Sequence, residues 1–173
     1  DTFSLAIIDQ AVNLAKTLTP VIRPLQIGGK PYYGAFLHPN QVRSMRTNTN
    51  TAQWADIQKA AMTGGDVEDN PIFSGALGIY NGVVLHEWTR LPAAVSGGAA
   101  MANTRRAVLC GAQAAVFGTG QGNSSDKPNW YEQLFDYGNQ LGVAGGMIAA
   151  MKKTVFNSAD FGTIVMSTYA AAP

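Results

Sequence analysis

Charged residues are scarce in this sequence. They make up 13% of the 173 residues, against about 25% in an ordinary soluble domain. Twelve basic and eleven acidic side chains leave a net charge of +1. This argues against a protein whose main task is to bind nucleic acid through its backbone phosphates. A surface so poor in charge indicates either that neighbouring subunits cover much of it or that this is a plain, sparingly soluble domain.

Cysteine and long apolar runs are nearly absent as well. The single cysteine, Cys110, excludes an internal disulfide, and its place in the apolar stretch AVLCGA is typical of a small buried side chain. No apolar run approaches the roughly 20 residues that cross a bilayer, so we expect no membrane partner. With 46% apolar residues the chain is still expected to fold around a core.

The periodicity of the apolar residues predicts helices early in the chain and strands late, which is an α+β fold. FSLAIIDQAVNLAKTLTP has apolar residues at spacings of three and four, so it predicts a helix that Ser4 can cap and Pro20 ends. A Gly-Gly turn and a strand from Tyr32 to Leu37 follow, and Pro39 is placed to open a second helix.

The middle and end of the chain are less regular. A further helix is expected between a Thr51 cap and Gly64-Gly65, and residues 89–104 are predicted to form a long surface loop. RRAVLCGAQAAVFG predicts a strand to Cys110, followed by either a short helix or a second strand. Residues 118–128 read as a flexible loop, and the chain from Trp130 to Ala170 as strands.

An Asn-Gly pair lies between two apolar runs in GALGIYNGVVLHEW. Asn81 and Gly82 predict a structural β-hairpin turn of type I′, because that turn needs positive φ at both central residues. Successive side chains of a strand point to opposite faces, so His86 and Glu87 diverge and do not readily serve one site. The zinc-protease motif is not met either, since it needs a histidine where Arg90 stands. These observations favour a structural role for His86.

The remaining candidates predict no catalytic, cofactor-binding or metal site. His38 precedes a proline at a strand-to-helix junction, where capping or hydrogen bonding is expected. The acidic loop of Asp66, Glu68 and Asp69 lacks the glycine and distal glutamate of a calcium-binding EF-hand. GTGQG is not followed by the Gly-Lys-Ser/Thr of a phosphate-binding loop, and no Cys/His cluster has metal-ligand spacing. We therefore expect neither cofactor nor metal.

Several stretches, in their order along the chain, carry a resemblance to a known family. They are IRPLQIGGKPYYGAFLHPNQVRSMR, NPIFSGALGIYNGVVLHEWTRLP, RRAVLCGAQAAVFGTG, WYEQLFDYGNQLGVAGGMI and KKTVFNSADFGTIVMSTYAA. The ordered set resembles the major capsid proteins of tailed bacteriophages, specifically the large coat-protein family of giant-polymerase podophages and related prophages. FLHPNQVRSMR and LFDYGNQLGVAGG are its most specific parts, and the resemblance covers about residues 5–170.

The resemblance implies the Hong Kong 97-type capsid fold. Residues 1–20 would then be the end of the spine helix in the peripheral domain. Residues 21–147 would form the axial domain with a mixed or antiparallel sheet, and residues 148–173 would supply strands that return to the peripheral domain. The N-terminal arm and extended loop of the family pattern are missing, so the chain is expected to be a fragment that does not assemble into shells by itself.

The function that the resemblance implies is structural. The protein would be a subunit of an icosahedral shell in the virion, assembled in the host cytoplasm. Its partners would be copies of itself in hexamers and pentamers, with scaffolding or decoration proteins beside them. The shell would enclose the packaged DNA without sequence-specific binding. A rigid plate with few charges suits this task, because little desolvation penalty opposes contact between subunits.

Two other classes of function stay open at the level of sequence. One is a hydrolase-type enzyme that uses His86 or Cys110, which requires a polar partner within reach of one of them in a cleft. The other is a phage decoration or host-surface binding module. That module would show an exposed aromatic patch, involving Trp130 and Tyr131, without capsomer-like self-association.

Overall fold

The computed structural model of the protein describes residues 1–47, 76–96, 98–120 and 129–172. The chain forms two compact units. The first, which we name the core unit, consists of Asp1–Ala114 and Phe161–Pro173, and the second, the ribbon unit, consists of Ala115–Asp160. Among the described residues, none of the helices has the length and apolar character needed to cross a bilayer.

Two helices and fourteen strands make up the described part of the chain. The helices are α1 (Leu5–Thr17) and α2 (Pro39–Thr47). The strands, in chain order, are β1 (Leu25–Ile27), β2 (Lys30–Leu37), β3 (Ala76–Tyr80), β4 (Val83–Glu87), β5 (Val95–Ser96), β6 (Ala99–Ala100), β7 (Thr104–Cys110), β8 (Ala115–Thr119), β9 (Asn129–Phe135), β10 (Gln140–Gly146), β11 (Ala149–Lys153), β12 (Val155–Phe156), β13 (Ala159–Asp160) and β14 (Thr163–Tyr169).

The core unit is built on a mixed sheet in the order β14-β7-β2-β4-β3, with β1 paired to the start of β2. The pairing of β2 with β4 is parallel, and the other pairings are antiparallel. A separate short hairpin joins β5 to β6. The α+β class is thus confirmed, and the sheet is the mixed one of the two alternatives.

The core lies between one face of this sheet and the helices. The sheet contributes alternate residues of β2, β4, β7 and β14, as period-two alternation requires. These are Tyr33, Ala35, Leu37, Val83, Leu85, Ala107, Leu109 and Met166. Helix α1 contributes the face predicted from its apolar spacing, with Leu5, Ile8 and Val12 all buried. Burial of each of these three side chains stabilises the fold by roughly 1.5–3 kcal/mol.

The ribbon unit consists of paired strands only. Strand β8 pairs with β11, β9 with β10, and β12 with β13, all antiparallel and each as an isolated pair. A turn at Asp136–Gly138 connects β9 to β10. None of the described residues in this unit is buried. Each pair therefore exposes both faces, in contrast to the one-sided sheet of the core unit.

Most predicted elements of the described part are confirmed, with three corrections. Ser4 takes the N-cap position of α1 in an extended conformation, but its side chain makes no capping hydrogen bond. The predicted loop 89–104 contains the hairpin β5–β6, which the backbone bond from Met101 N–H to Ala94 C=O extends. The first two residues of the predicted loop 118–128 belong to strand β8, because they pair with β11.

One further open point is resolved, and three predictions are not tested by the described residues. After Gly111 the chain forms a second strand, β8, and not a short helix. The helix expected between Thr51 and Gly64-Gly65, the acidic loop of residues 66–69 and residues 121–128 lie outside the described residues.

Candidate functional site

The turn between β3 and β4 has the conformation that its sequence predicts. Asn81 has φ 46° and Gly82 has φ 73°, and Tyr80 pairs with Val83 on either side of them. Positive φ at both central residues is the requirement of a type I′ turn. The C=O of Gly82 also accepts a hydrogen bond from the N–H of Tyr33 at 2.9 Å, so the turn is tied to the parallel neighbour strand β2.

Asp9 of α1 holds this hairpin against the helix. Its Oδ1 accepts a bond from Nδ2 of Asn81 at 2.9 Å, and its Oδ2 accepts one from the hydroxyl of Tyr80 at 3.1 Å. Hydrogen bonds to an ionised carboxylate are stronger than those between neutral groups. The sequence analysis missed Asp9, since its partners are more than 70 positions away; only its place on the helix, one residue after the apolar Ile8, hinted at a contact.

His86 is a packing residue of the sheet. It lies opposite Phe36 in the parallel register of β2 and β4, and the two rings stack with centroids 5.5 Å apart and planes inclined by 25°. Glu87 is exposed, whereas His86 is half-buried. The two neighbours therefore point apart, as strand alternation predicts.

His86 and Cys110 do not form a catalytic pair. Both lie on the sheet face opposite the helices, but Cys110 pairs with Gly34 while His86 pairs with Phe36. Two strand spacings and two residues along the sheet place their Cα atoms about 12 Å apart. Burial raises the pKa of the Cys110 thiol, which disfavours the reactive thiolate. The two residues therefore do not serve one site, and the thiol of Cys110 is not poised as a nucleophile.

His38 caps α2, the role that its position predicts. Its Nδ1 accepts a hydrogen bond from the N–H of Asn40 at 3.2 Å, while its own N–H donates to Oε1 of Gln41 at 2.9 Å. This reciprocal pattern resembles a capping box, with histidine in place of the usual serine or threonine and with the second helical N–H, not the third, as the donor. Burial lowers the pKa of His38, the positive charge of Arg105 lowers it further, and Glu87 acts in the opposite direction. The neutral form, which can accept the bond, is favoured.

Gln41 connects this cap to the sheet. Its side chain is fully buried, and its Nε2 donates to Oγ1 of Thr168 at 2.8 Å and to the C=O of Arg105 at 3.2 Å. A buried amide is tolerated only when its polar atoms are bonded, and here both ends are. One side chain thereby fixes α2 against β7 and β14. Sequence reasoning missed it, because a glutamine in the first turn of a helix reads as exposed.

The described residues hold no group of three or more histidine, cysteine or acidic side chains that could bind a metal ion. The polar clusters of the core unit are built around hydrogen bonds between helices and strands. His38 acts among them as the cap of α2.

Most of the exposed large apolar side chains among the described residues are in the ribbon unit. Residues that face each other across β9 and β10 share a face, so Leu134 and Leu141 lie side by side. Val143 and Trp130 are on the same face, and we name these four residues the leucine face. Their exposed fractions are 64%, 62%, 47% and 66% in the order given. Tyr131 lies on the opposite face and is exposed as well.

The comparisons with known proteins agree on one class. The family model described as phage capsid protein matches residues 1–172. The major capsid protein of Pseudomonas phage KPP25 is 31% identical, and the match covers 99% of this chain and 46% of that protein. Among solved structures, the capsid of Ralstonia phage GP4 matches with a TM-score of 0.74 and 36% identity, over 100% of this chain and 48% of that one.

A more distant neighbour shows the same fold. The cyanophage Pam1 capsid matches with a TM-score of 0.67 and 24% identity, over 99% of this chain and 48% of that one. The chain therefore spans about half the length of the relatives it matches. The predicted α+β phage-capsid fold is confirmed by these neighbours. With a family match over nearly its whole length and a fold shared with solved capsids, the chain belongs to the phage capsid protein family.

Proposed function

We propose that the protein is a structural subunit of an icosahedral bacteriophage or prophage capsid, whose copies assemble into hexamers and pentamers around the genome. The observation that carries this proposal is the match of 100% of the chain to the capsid of Ralstonia phage GP4 at 36% identity. Its location would be the virion shell, after assembly in the host cytoplasm.

The physical character of the chain supports a shell role. The core unit is a sheet braced by two helices through side-chain hydrogen bonds, which is how a stiff plate is built. A net charge of +1 limits repulsion among many copies. It also fits a shell that encloses DNA without gripping particular bases or many phosphates.

The predicted division of labour within the fold is part of the same proposal. Residues 1–20 would be the end of the spine helix, residues 21–147 the axial domain, and residues 148–173 the return to the peripheral domain. The burial of one whole face of α1 against the sheet supports a bracing role for the first of these segments.

The proposal includes no catalytic activity. The hydrolase alternative has less support, because His86 stacks on Phe36 and burial raises the pKa of the Cys110 thiol. Scaffolding and decoration proteins are proposed as partners from the family resemblance alone.

Electron microscopy of the complete coat protein, expressed with its scaffolding and protease partners, tests the function. We expect closed particles or capsomers. A coat protein that stays monomeric at high concentration under these conditions would contradict the proposal.

A binding module is the second candidate, because Trp130 and Tyr131 are both exposed, although they lie on opposite faces of the β9–β10 pair and so do not form one aromatic patch. Self-association separates the two candidates: a shell subunit forms assemblies of its own, whereas a host-surface module binds its receptor as a monomer.

A further inference from the structure

The ribbon unit exposes more apolar surface than isolated strand pairs can carry in water. Its six aromatic side chains are at least half exposed: Phe117, Trp130, Tyr131, Phe135, Tyr137 and Phe156. Two-stranded ribbons without a covered face are marginally stable at best. Exposed apolar patches of more than a few hundred square ångströms mark contact sites. This unit therefore needs a covering surface that the core unit, with its own closed core, does not need.

The size of the exposed surface fits a protein partner. An aromatic side chain buries 150–250 Å² when fully covered, so six rings at half exposure offer on the order of 600 Å². The eight aliphatic side chains exposed in the same unit add a comparable area: Val116, Leu134, Leu141, Val143, Met147, Ile148, Met151 and Val155. Shared between the two faces of the strand pairs, the total is roughly 600 Å² a face, which is at the lower end of what each partner contributes to a standard interface.

The leucine face is already prepared for burial. The indole N–H of Trp130 donates to Oε1 of Glu132 at 2.6 Å, so its one donor is satisfied within the ribbon. An apolar surface can therefore cover the ring without leaving an unpaired polar atom. Glu132 is the one charged residue among the β9–β10 pairs that line this face, so little charge has to leave water when the face is covered.

Apolar residues lie on both faces of the ribbon, and this favours identical subunits over a single ligand or receptor as the partner. Opposite the leucine face, Tyr131 and Phe135 are exposed, and the Phe135 ring lies over Gly142 where a Cβ would collide with it. A single bound ligand or receptor would cover one face and leave the other in water. In a ring of identical subunits with heterologous contacts, each copy has neighbours on two sides, which covers both.

We propose that the ribbon unit is an assembly contact, in which the leucine face of β9–β10 packs against a second copy of this chain. The proposal rests on the proposed shell function and adds the surface through which neighbouring copies meet. In this proposal the core unit forms the rigid part of the subunit, and the ribbon unit forms the apolar contact between neighbouring subunits.

Photo-crosslinking of the chain tests which molecule covers the leucine face. Benzoylphenylalanine replaces Leu141 in a mixture of isotopically light and heavy copies, and mass spectrometry identifies the crosslinked peptides. We expect crosslinks that join light to heavy copies. Crosslinks confined to one copy, or none, would overturn the proposal, as would capture of a different protein. The same photo-residue in place of Lys16, exposed on α1, is the control and should give far fewer mixed crosslinks.

Paired substitutions give the second readout. Leu134→Ser with Leu141→Ser removes the centre of the leucine face, and Gln133→Ser with Gln140→Ser is the control on the opposite face of the same ribbon. By sedimentation velocity we expect the leucine variant to dissociate at about tenfold higher concentration or more, a change of ~1.4 kcal/mol, and the control to match the parent. Equal association of both variants would overturn the proposal.

Two further measurements separate loss of the contact from loss of folding and from failure of the proposed shell function. Circular dichroism should show an unchanged thermal transition for both paired variants, because the buried core lies in the core unit. Particles formed by a complete coat protein that carries both serines as readily as the parent would refute the contact and leave the shell function standing. Absence of particles from the parent coat protein would instead refute the shell function.

Discussion

Nδ2 of Asn81 donates a hydrogen bond to Oδ1 of Asp9, which joins the tip of the β3–β4 hairpin to helix α1 across 72 positions of sequence. The carboxylate also binds the hydroxyl of the preceding Tyr80. Both oxygens are thus used on the same hairpin, and the helix cannot rotate or slide without breaking them. The turn and the helix therefore act as one structural element.

Replacement of Asp9 by alanine should lower the free energy of unfolding by about 1–2 kcal/mol, because two charge-assisted but partly solvated bonds are lost. Denaturant unfolding followed by circular dichroism measures the change. Asp9→Asn keeps one acceptor and should lose about half as much. An alanine variant as stable as the parent would show that the link is not energetically significant.

Gly82→Val should lower the free energy of unfolding by ~1–3 kcal/mol. The cost is conformational, since a Cβ here would meet only the C=O of Pro31 at an ordinary 3.6 Å, while φ 73° is strained for a β-branched residue. Gly82→Asn is the matched control, because asparagine tolerates positive φ, and it should cost clearly less. Identical melting of the valine variant and the parent would exclude the type I′ turn.

Gln41→Leu should destabilise the protein by about 1–3 kcal/mol, since it leaves the hydroxyl of Thr168 without its buried donor. Thr168→Val alone should lower the free energy of unfolding by a similar amount, because it removes the acceptor and leaves the buried Nε2 of Gln41 with one partner fewer. In the double variant both polar groups are gone, so we expect a loss smaller than the sum of the single losses. Strict additivity in this cycle would mean that the two side chains are not coupled.

Acid should weaken the cap of α2 through His38. Its pKa is lower in the folded protein than in the unfolded chain, so the unfolded chain binds the proton more readily. The stability that depends on neutral His38 is therefore complete above the unfolded pKa, near 6.5, and is lost as the pH falls from there through the folded pKa. Unfolding measured from pH 8 down to about pH 5 should show this loss.

His38→Asn provides the control for this pH effect. Asparagine caps helices well and does not titrate in this range, so the variant should lose stability less steeply below about pH 6.5. Superimposable pH profiles of parent and variant would assign the effect to other groups.

His86→Gln should leave particle formation intact and lower the free energy of unfolding by no more than about 1.5 kcal/mol, the magnitude of an aromatic stacking pair. Electron microscopy of the complete coat protein and thermal unfolding of the chain measure the two effects. Loss of particles without loss of stability would indicate a role for His86 beyond its stacking on Phe36.

Local patterns predicted the elements whose geometry is decided by near neighbours. The apolar spacing in α1, the proline that opens α2 and the Asn-Gly turn each depend on residues within one or two turns of chain. Where the pattern carried no local signal, prediction failed. The hairpin β5–β6 consists of small residues that resemble a loop, and only the backbone ladder identifies it.

The hydrogen bonds between helices and sheet, and the exposure of the apolar side chains in the ribbon unit, depend on the tertiary structure. Nothing near Asp9 or Gln41 in the sequence indicates that their partners lie on distant strands, because hydrogen bonds between elements arise only when the sheet brings them together. Likewise, nothing in the sequence around Leu134 indicates that its strand pair is exposed on both faces, since sequence shows which residues prefer burial but not which strand pairs lack a second layer.

The amino-acid sequence by itself determined the α+β class, helices α1 and α2, the Asn81-Gly82 turn and the resemblance to phage coat proteins. The tertiary structure alone decided which polar groups lock the helices to the sheet and that the ribbon unit keeps its apolar side chains in solvent. The physical reason is that propensity and periodicity act over a few residues, whereas burial depends on what else the fold places alongside.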